Sequence, residues 1–402
     1  MQLLNLNGKK IILRVDFNVP MDKDQNITDN SRIKECVATI NYILDHVGTS
    51  IVLLSHLGRP LKKLTPEGNI DTKTFTLKNT VACLSELLNR PVQFCPDCIG
   101  AEADKKAKEL APGEILLMEN TRFHAEEEKG DEQFAEQLST YGDIYLNDAF
   151  GTAHRAHAST AVIAQYFPRS KKGFGFLMKR ELDNAKKLLI NPERPYTAII
   201  GGAKVSDKIL LLEKIIDSVD NLIIGGGMAY TLIKAQGGKI GSSLVEEERL
   251  DVARQFLEKA KGRINLYLPE DSVIADKFTA EANTQIVDSD NIPDGWMGLD
   301  IGPKAIEAFV KVISKSRSIM WNGPMGVFEM KPFAAGTVAI AKEIAEETAT
   351  GAFSLIGGGD SAAAIHQIGL TSQVSFVSTG GGAMLELLEG KVLPGVKAIL
   401  EG

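Results

Sequence analysis

The sequence contains no long apolar run and few aromatic residues. No stretch approaches the about 20 apolar residues that a membrane-spanning helix needs, and aromatic residues make up 6% of the 402-residue chain. The first fifteen or so residues also lack an uninterrupted apolar stretch followed by a small-residue cleavage site. We therefore expect a cytoplasmic protein with no membrane partner.

Cysteine is scarce, with four residues in the whole chain. This number cannot form a disulfide framework in a chain of this length. Cys95 and Cys98 form a C-x-x-C pattern, but a structural zinc site would need two further ligands at regular spacing. Cys36, Cys83 and the six scattered histidines provide no second pair. The spacing therefore predicts neither a zinc site nor a redox role.

Basic residues are outnumbered, with 45 lysines and arginines against 52 acidic residues and a formal net charge of -7. Nucleic acids and anionic membranes bind basic surfaces, so neither is expected as a partner. Any anion site must be local. The chain also lacks the G-x-x-x-x-G-K-[ST] pattern, which excludes an ordinary P-loop ATPase.

Apolar, β-branched runs recur along the chain, and each is followed by a turn and a helical pattern. This alternation is typical of βαβ units and predicts the α/β class. Because the chain is too long for one core, we predict two doubly wound, Rossmann-like domains with parallel sheets. Strands are predicted in KKIILRVDFNV, SIVLLSHLG, GEILLMENTRF, DIYLNDAFG, YTAIIGGAK, NLIIGGGMAY, INLYLPEDSVI, SIMWNGPMG, AFSLIGGGDSA and VSFVSTGGGAM.

A charged segment between the two halves, GFLMKRELDNAKKLLI, has helical spacing and is followed by Asn191 and Pro192. We interpret it as an interdomain helix with a hinge. The predicted domains are 1–172 and 173–387, and the tail, about 388–402, is expected to pack back on the first domain. Ligands of open α/β sheets bind at the carboxyl ends of the strands, so the loops there should form the two halves of one site.

Glycines cluster where the strands of the second half end. Glycine lets the backbone approach a phosphate, and the following helix supplies free N–H groups and a positive dipole end. Four such junctions predict a nucleotide-phosphate site; they are glycines 201–202, 225–227, 357–359 and 380–382.

Two lysines follow the first of these junctions. Lys204 and Lys208 have i, i+4 spacing, so we expect both ammonium groups on one face of the first helical turns, within reach of one phosphate chain.

One junction leaves an alternative open. Gly357, Gly359 and Ala362 satisfy a loose G-x-G-x-x-A pattern, so a nicotinamide-dependent oxidoreductase is a competing hypothesis. Asp360 would repel a pyrophosphate there, and no acidic residue follows at the spacing that the ribose requires. A carboxylate beside phosphates is better explained as a Mg²⁺ ligand.

Basic and amide side chains occupy the strand ends of the first half. Arginine binds carboxylates and phosphates with two parallel hydrogen bonds, so several converging arginines predict a small, highly charged anion. His154 and His157 are interpreted as hydrogen-bonding groups rather than metal ligands. A two-lobed small-anion binding protein remains the alternative outside enzymology. The anion-site residues are Asp16, Asn18, Arg32, His56, Arg59, Arg122 and Arg155.

The chain resembles the phosphoglycerate kinase family nearly from end to end. The segments that carry the resemblance, in the family's order and spacing, are RVDFNVP, SHLGRP, ENTRFH, AFGTAHRAHAS, GGAKVSDK, WNGPMGVFE, GGGDSA and STGGGA. Ser361, Met384 and Thr121 depart from the residues usual in the family, which affects fine nucleotide contacts rather than the activity.

The resemblance implies reversible phosphoryl transfer between Mg·ATP and 3-phosphoglycerate, giving ADP and 1,3-bisphosphoglycerate, in glycolysis and gluconeogenesis. It implies a monomer, and it assigns the seven anion-site residues to phosphoglycerate. It places Glu329 on the ribose and Asp360 on the magnesium. The other nucleotide residues are Lys204, Lys208, Gly298, Asn322, Gly357, Gly358 and Gly359, and the glycine turns add Gly202, Gly225 and Gly226 with Ser361.

The mechanism expected from the residues agrees. A carboxylate acceptor, with a pKa near ~3.5, is ionised at neutral pH and needs no general base. Catalysis then depends on in-line positioning and on stabilising the charge of the moving phosphoryl group. The expected catalytic groups are Arg32, Lys204, Lys208, Mg²⁺ and the N–H groups of Gly358 and Gly381.

Overall fold

The computed structural model describes residues 4–401, which form two compact units. The first unit extends to Leu182 and takes up the chain again from Val392. The second extends from Asp183 to Lys391. Over residues 4–401 no helix is both long and apolar enough to span a membrane.

The first unit is built on a six-stranded parallel sheet. Its strands are β1 Lys10–Arg14, β2 Ser50–Leu54, β3 Gln93–Cys95, β4 Ile115–Met118, β5 Ile144–Asn147 and β6 Lys172–Phe174. The strand order is β3-β4-β2-β1-β5-β6. The short edge strands β3 and β6 carry too few apolar residues to stand out in the sequence.

Both faces of this sheet are covered, because successive side chains of a strand point to opposite faces. On β1, Ile11 and Leu13 belong to one apolar core and Ile12 belongs to the other. The helices that precede β6 are α1 Ser31–Leu44, α2 Thr72–Phe75, α3 Val81–Leu88, α4 Ala101–Glu109, α5 Ala125–Lys129 and α6 Glu132–Ser139. Of these, α1, α3, α4 and α6 contribute apolar side chains to the two cores, together with other strands and loops of the unit.

Helix α7, Phe176–Leu189, is the helix predicted between the halves. The expected boundary near residue 172 falls on β6, whereas the two units divide inside α7, between Leu182 and Asp183. Asn191 follows the helix with a φ of 52°, a left-handed conformation that ends helices.

The second unit has its own six-stranded parallel sheet, in the order β10-β8-β7-β15-β16-β17. Trp321 and Ile356 lie in an apolar core with side chains of the flanking helices. The strands of this unit are β7 Tyr196–Ile200, β8 Asn221–Ile224, β9 Lys239–Ile240, β10 Asn265–Tyr267, β11 Asp271–Ala275, β12 Thr284–Asp288, β13 Asn291–Ile292, β14 Met297–Ile301, β15 Ser318–Asn322, β16 Phe353–Gly357 and β17 Phe376–Val377. Its helices are α8 Ile209–Ile215, α9 Met228–Ala235, α10 Leu250–Ala260, α11 Pro303–Ile313, α12 Ala335–Ala349, α13 Gly359–Gln367 and α14 Gly381–Leu388.

The two parallel sheets confirm the predicted α/β class. One strand prediction was wrong in detail, because INLYLPEDSVI forms two strands in different sheets. β10 joins the main sheet, and β11 pairs antiparallel with β12 and β14. Pro269 lies between β10 and β11 and has no N–H to donate to a ladder.

The C-terminal helix α15, Pro394–Leu400, belongs to the first unit. The Gly395 N–H donates to the Ala153 carbonyl at 2.8 Å, and the buried Ile399 belongs to the apolar core that contains Phe134 of α6. The Lys172 ammonium group donates to the Glu401 carbonyl at 2.8 Å. Residue 402, at the end of the predicted tail, lies outside the described residues.

Candidate active site

The anion-site residues of the first unit follow four neighbouring strands of its sheet. Because β4, β2, β1 and β5 are parallel neighbours, their carboxyl ends meet at one edge. A cavity of ≈ 370 Å³ opens there, and all seven predicted residues line it: Asp16, Asn18, Arg32, His56, Arg59, Arg122 and Arg155. Lys63 and His154, which the predicted set omits, also line it.

The cavity is strongly basic. Four arginines and one lysine face one aspartate, a formal balance of +4 in a chain whose net charge is -7. Burial lowers the pKa of Arg122, and the neighbouring charge of Arg14 lowers it further. Crowded, poorly hydrated cations bind an anion strongly, because the anion relieves their mutual repulsion.

Asp16 is the one acidic side chain of the cavity and holds its neighbours in place. Its Oδ2 accepts from Arg32 Nη1 at 2.8 Å, and its Oδ1 accepts from the Asn18 N–H at 3.1 Å. The Arg32 guanidinium has five N–H donors, and Asp16 accepts a hydrogen bond from one of them. Gly151 lies so close that a Cβ there would be 2.6 Å from Asp16 Oδ2.

Asn18 and Arg122 are linked through the loop after β2. The Gly58 N–H donates to Asn18 Oδ1 at 2.8 Å, and Arg122 Nη1 donates to the Gly58 carbonyl at 2.8 Å. Arg122 Nε lies 3.4 Å from Glu128 Oε1. The loop therefore fixes an amide and a guanidinium on one side of the cavity.

His56 is buried and neutral. Burial lowers its pKa well below the usual range, and the positive charges of Arg122 and Arg14 lower it further. Its Nδ1 lies 3.2 Å from Arg14 Nη2. Since a guanidinium can only donate, Nδ1 accepts and the proton of the ring is on Nε2. His56 can therefore donate a hydrogen bond to an anion.

The predicted set omits the buried groups behind His56. Arg14, fully buried at the end of β1, donates through Nε to Ser159 Oγ at 2.8 Å. Ser159 in turn donates to Glu127 Oε1 at 2.6 Å, and its N–H donates to Oε2 at 2.9 Å. A charged residue inside the apolar run IILRV is the sequence signal that could have identified Arg14.

The glycine turns of the second unit pack against one another in pairs. A Cβ on Gly226 would lie 2.6 Å from the Gly202 carbonyl oxygen, and a Cβ on Gly381 would lie 2.7 Å from the Gly358 Cα. Gly358 also has a φ of 91°, which favours glycine. The first turns of α13 and α14 are therefore neighbours, and both have free N–H groups that suit an anion.

Lys208 and Asn322 meet at these turns. The Lys208 ammonium group donates to Asn322 Oδ1. Asn322 Nδ2 is buried without a hydrogen-bond partner among the described residues, and a Cβ on Gly358 would lie 2.8 Å from it. Burial lowers the pKa of Lys208, and the charge of Asp360 opposes this shift. An ammonium group and an unused amide donor thus lie beside the Gly358 turn.

The expectation that Lys204 and Lys208 share a helical face was wrong. Helix α8 begins at Ile209, with Lys208 as its N-cap, and the preceding residues form a turn. Glu246 holds this turn, because its Oε2 accepts from the Ser206 N–H at 3.0 Å. Lys204 is exposed. Burial raises the pKa of Glu246, but the hydrogen bonds from Ser206 and the positive charge of Lys204 lower it further than burial raises it.

Asp360 is exposed in the first turn of α13. One exposed carboxylate beside phosphate-binding N–H groups fits Mg²⁺, which binds through one or two carboxylates and the phosphates and keeps several waters. The next residue, Ser361, is buried, and its Oγ accepts from the Gly323 N–H at 2.6 Å. Ser361 therefore supports the loop after β15.

The other predicted nucleotide residues lie on nearby segments of the same unit. Gly225 packs against Met325, and Gly357 ends β16 beside Asn322. Gly298 lies on β14, where its N–H donates to Ser243 Oγ at 2.9 Å and a Cβ would overlap the Tyr230 hydroxyl. Glu329 is exposed on the loop after β15, and Gly359 is exposed at the start of α13.

A basic cavity in one α/β unit and glycine-lined helix N-termini in the other fit the class of phosphotransferases that act on a small anionic substrate. The family model described as phosphoglycerate kinase matches residues 1–391. The chain belongs to the phosphoglycerate kinase family.

Comparisons with individual proteins agree with the assignment to this family. The chain is 52% identical to the cytosolic phosphoglycerate kinase of Nicotiana tabacum, over 98% of this chain and 96% of that protein. It is 50% identical to the chloroplastic phosphoglycerate kinase 1 of Arabidopsis thaliana, over 99% of this chain and 80% of that protein. The solved structure of phosphoglycerate kinase from Coxiella burnetii is 40% identical, with a TM-score of 0.87 and coverage of 100% of this chain and 98% of that one. None of these comparisons supports the oxidoreductase or the binding protein considered above.

The buried His157 makes the stability of the protein depend on pH. Burial, together with Arg122 and Arg14, lowers its pKa from 6.5 to about 3. Between these values the unfolded chain holds one more proton than the folded one, so the free energy of unfolding should fall as pH falls from 6.5. His157→Gln should flatten this dependence in urea titrations between about pH 6.5 and pH 4, by up to about 1.4 kcal/mol per pH unit for one proton. His366→Gln, at an exposed histidine, is the control; equal slopes in wild type and His157→Gln would contradict the prediction.

Proposed function

We propose that the protein transfers a phosphoryl group reversibly between Mg·ATP and 3-phosphoglycerate, giving ADP and 1,3-bisphosphoglycerate. The observation that carries the proposal is the +4 balance of the cavity in the first unit, within an acidic chain. 3-Phosphoglycerate carries a carboxylate and a phosphate on a three-carbon frame. It therefore needs several fixed cationic donors close together, which the cavity provides.

The roles proposed for the cavity residues follow from their hydrogen-bond donors and acceptors. The arginine guanidinium groups can bind carboxylate and phosphate groups with two parallel hydrogen bonds, and His56 can donate its Nε2–H. Asp16 holds Arg32 and Asn18 in position. The residues proposed to bind 3-phosphoglycerate are Asp16, Asn18, Arg32, His56, Arg59, Arg122 and Arg155.

The nucleotide is proposed to bind in the second unit, with its phosphates at the first turns of α13 and α14. Lys208 and the buried amide of Asn322 supply donors for phosphate oxygens, and Glu329 binds the ribose. Asp360 holds Mg²⁺, which neutralises part of the charge of the phosphates when it is bound with them. The full proposed set is Gly202, Lys204, Lys208, Gly225, Gly226, Gly298, Asn322, Glu329, Gly357, Gly358, Gly359, Asp360 and Ser361.

The reaction requires no proton transfer. An oxygen of the ionised carboxylate forms a bond to the γ-phosphorus of ATP while the bond from that phosphorus to the bridging oxygen of ADP breaks. No general base is needed, in keeping with a His56 whose Nδ1 is already occupied by Arg14. The catalytic groups are Arg32, Lys204, Lys208, and the N–H groups of Gly358 and Gly381, all of which stabilise negative charge on the moving group.

The proposed activity and the role of Arg32 are tested together in a coupled assay of ADP formation. Wild type should form ADP from ATP only when 3-phosphoglycerate is present. Arg32→Ala should lower kcat by about 100-fold or more, because one charged contact to the transition state is lost. Arg90→Ala, at an exposed arginine of the same unit, is the matched control. A kcat of Arg32→Ala within about threefold of wild type would remove Arg32 from the catalytic groups.

Asp360→Asn tests the metal ligand. It should raise the Kd of Mg·ADP roughly 10-fold, while the Kd of ADP measured with EDTA and the Kd of 3-phosphoglycerate stay nearly unchanged. Calorimetric titration measures all three, and Asp294→Asn, at another exposed aspartate of this unit, is the control. An equal rise in the Kd of ADP with and without Mg²⁺ would show that Asp360 does not act through the metal.

Direct transfer requires the donor and acceptor atoms to touch, and water must be kept away from the phosphoryl group. We therefore propose that hinge bending closes the two units when both ligands are bound. Small-angle scattering should give a smaller radius of gyration with 3-phosphoglycerate and a non-reactive ATP analogue together than with either alone. A ternary complex no more compact than the binary ones would exclude closure.

A monomeric state and a cytoplasmic location remain predictions from the sequence. The relatives named above include both a cytosolic and a chloroplastic protein.

A further inference from the structure

Three side chains outside the cavity bring together the donor types of a transition-metal site. They are Asp97, Cys98 and His124, and one ligand atom of each lies within 4.8 Å of the other two. They come from two separate loops. The C-x-x-C turn follows β3, and His124 follows the turn after β4, the neighbouring strand. The pairing of β3 with β4 is what brings the loops together.

The separations are close to those of a four-coordinate ion. Zinc bonds of 2.0–2.3 Å at tetrahedral angles place ligand atoms about 3.3–3.8 Å apart. His124 Nε2 and Asp97 Oδ1 are 2.7 Å apart as a hydrogen-bonded pair, so they would separate by at least about 0.6 Å around an ion. The sulfur lies within 4.8 Å of both and needs to move by at most about 1.3 Å. Rotation of the side chains provides displacements of this size.

An ion can reach the group from solvent. The side chain of Asp97 is 50% exposed and that of His124 is 24% exposed, whereas Cys98 is fully buried beneath them. The Cys98 N–H donates to Asp97 Oδ1 at 2.7 Å, which holds the carboxylate close to the Cys98 backbone. Burial and the charge of Asp97 raise the pKa of the Cys98 thiol well above its usual range.

We propose that Asp97, Cys98 and His124 form a binding site for a borderline-soft divalent cation such as Zn²⁺, with water as the fourth ligand. One sulfur, one imidazole nitrogen and one carboxylate oxygen suit Zn²⁺ and disfavour Mg²⁺ and Ca²⁺, which take oxygen ligands. The site is distinct from the Asp360 site, which belongs to the other unit. Binding ties the loops after β3 and β4 together and stabilises the first unit, because the ligands lie close together only when the unit is folded.

The probe is Co²⁺ alone, added to the full-length, nucleotide-free protein under reducing conditions. Wild type should develop a thiolate-to-cobalt charge-transfer band in the near ultraviolet, and Zn²⁺ should displace it. Cys98→Ser should abolish the band. His124→Gln and Asp97→Asn, which change partly exposed side chains, should weaken Co²⁺ binding by at least ~10-fold. Zn²⁺ should raise the Tm of wild type and not that of Cys98→Ser.

Cys95→Ser is the matched control, because Cys95 is the other buried thiol of the same turn and is not a member of the group. It should keep the band and the Zn²⁺-dependent rise in Tm. Absence of a thiolate band in wild type would overturn the proposal. Retention of the band in Cys98→Ser, or its retention at wild-type strength in both His124→Gln and Asp97→Asn, would also overturn it. Should Cys98→Ser fail to fold, the two partly exposed variants decide the question.

Discussion

Parallel pairing in the sheet of the first unit is the constraint on which the anion cavity depends. Arg14, the last residue of β1, is in register with Leu54 of β2 and with Asn147 of β5. The segments that follow these strands therefore leave the sheet at the same level and on the same edge. Asp16, His56 and Gly151 belong to three such segments that are far apart in sequence. Without this register the three residues would not line one cavity.

Concentrating positive charge at that edge has a cost in desolvation, which buried acceptors offset. Arg14 is fully buried, and its Nε donates to Ser159, which is held in turn by the buried Glu127. In the cavity, the Asp16 carboxylate likewise accepts a hydrogen bond from the Arg32 guanidinium. Asp16 fixes the direction of Arg32 and offsets one of the five positive charges of the cavity, which leaves the formal balance of +4. The cavity can therefore stay basic and ordered before an anion enters.

In the second unit, backbone N–H groups rather than side chains provide the donors that suit an anion. Several glycines there sit where a Cβ would overlap another turn, as for Gly381 against Gly358 and Gly226 against Gly202. The absence of side chains lets the first turns of α13 and α14 approach each other and expose their N–H groups. Lys208, held by Asn322, adds one ammonium group to this array. The anion site proposed in the first unit thus relies on arginine side chains, and the one proposed in the second unit relies on peptide dipoles.

The sequence by itself determined the α/β class and most of the strands, and it predicted seven residues that line one cavity. Their binding of an anion stays a prediction. Apolar runs that end in turns are local patterns, and strand ends are where such folds place ligands. It did not determine the split of INLYLPEDSVI between two sheets, the turn conformation of residues 204–208 or the buried role of Arg14, because each depends on partners distant along the chain. The same limit applies to His124. Sequence spacing gave Cys95 and Cys98 no further ligands, and only the pairing of β3 with β4 brings His124 to Cys98. Contacts between distant segments follow from strand order, and tertiary packing sets that order.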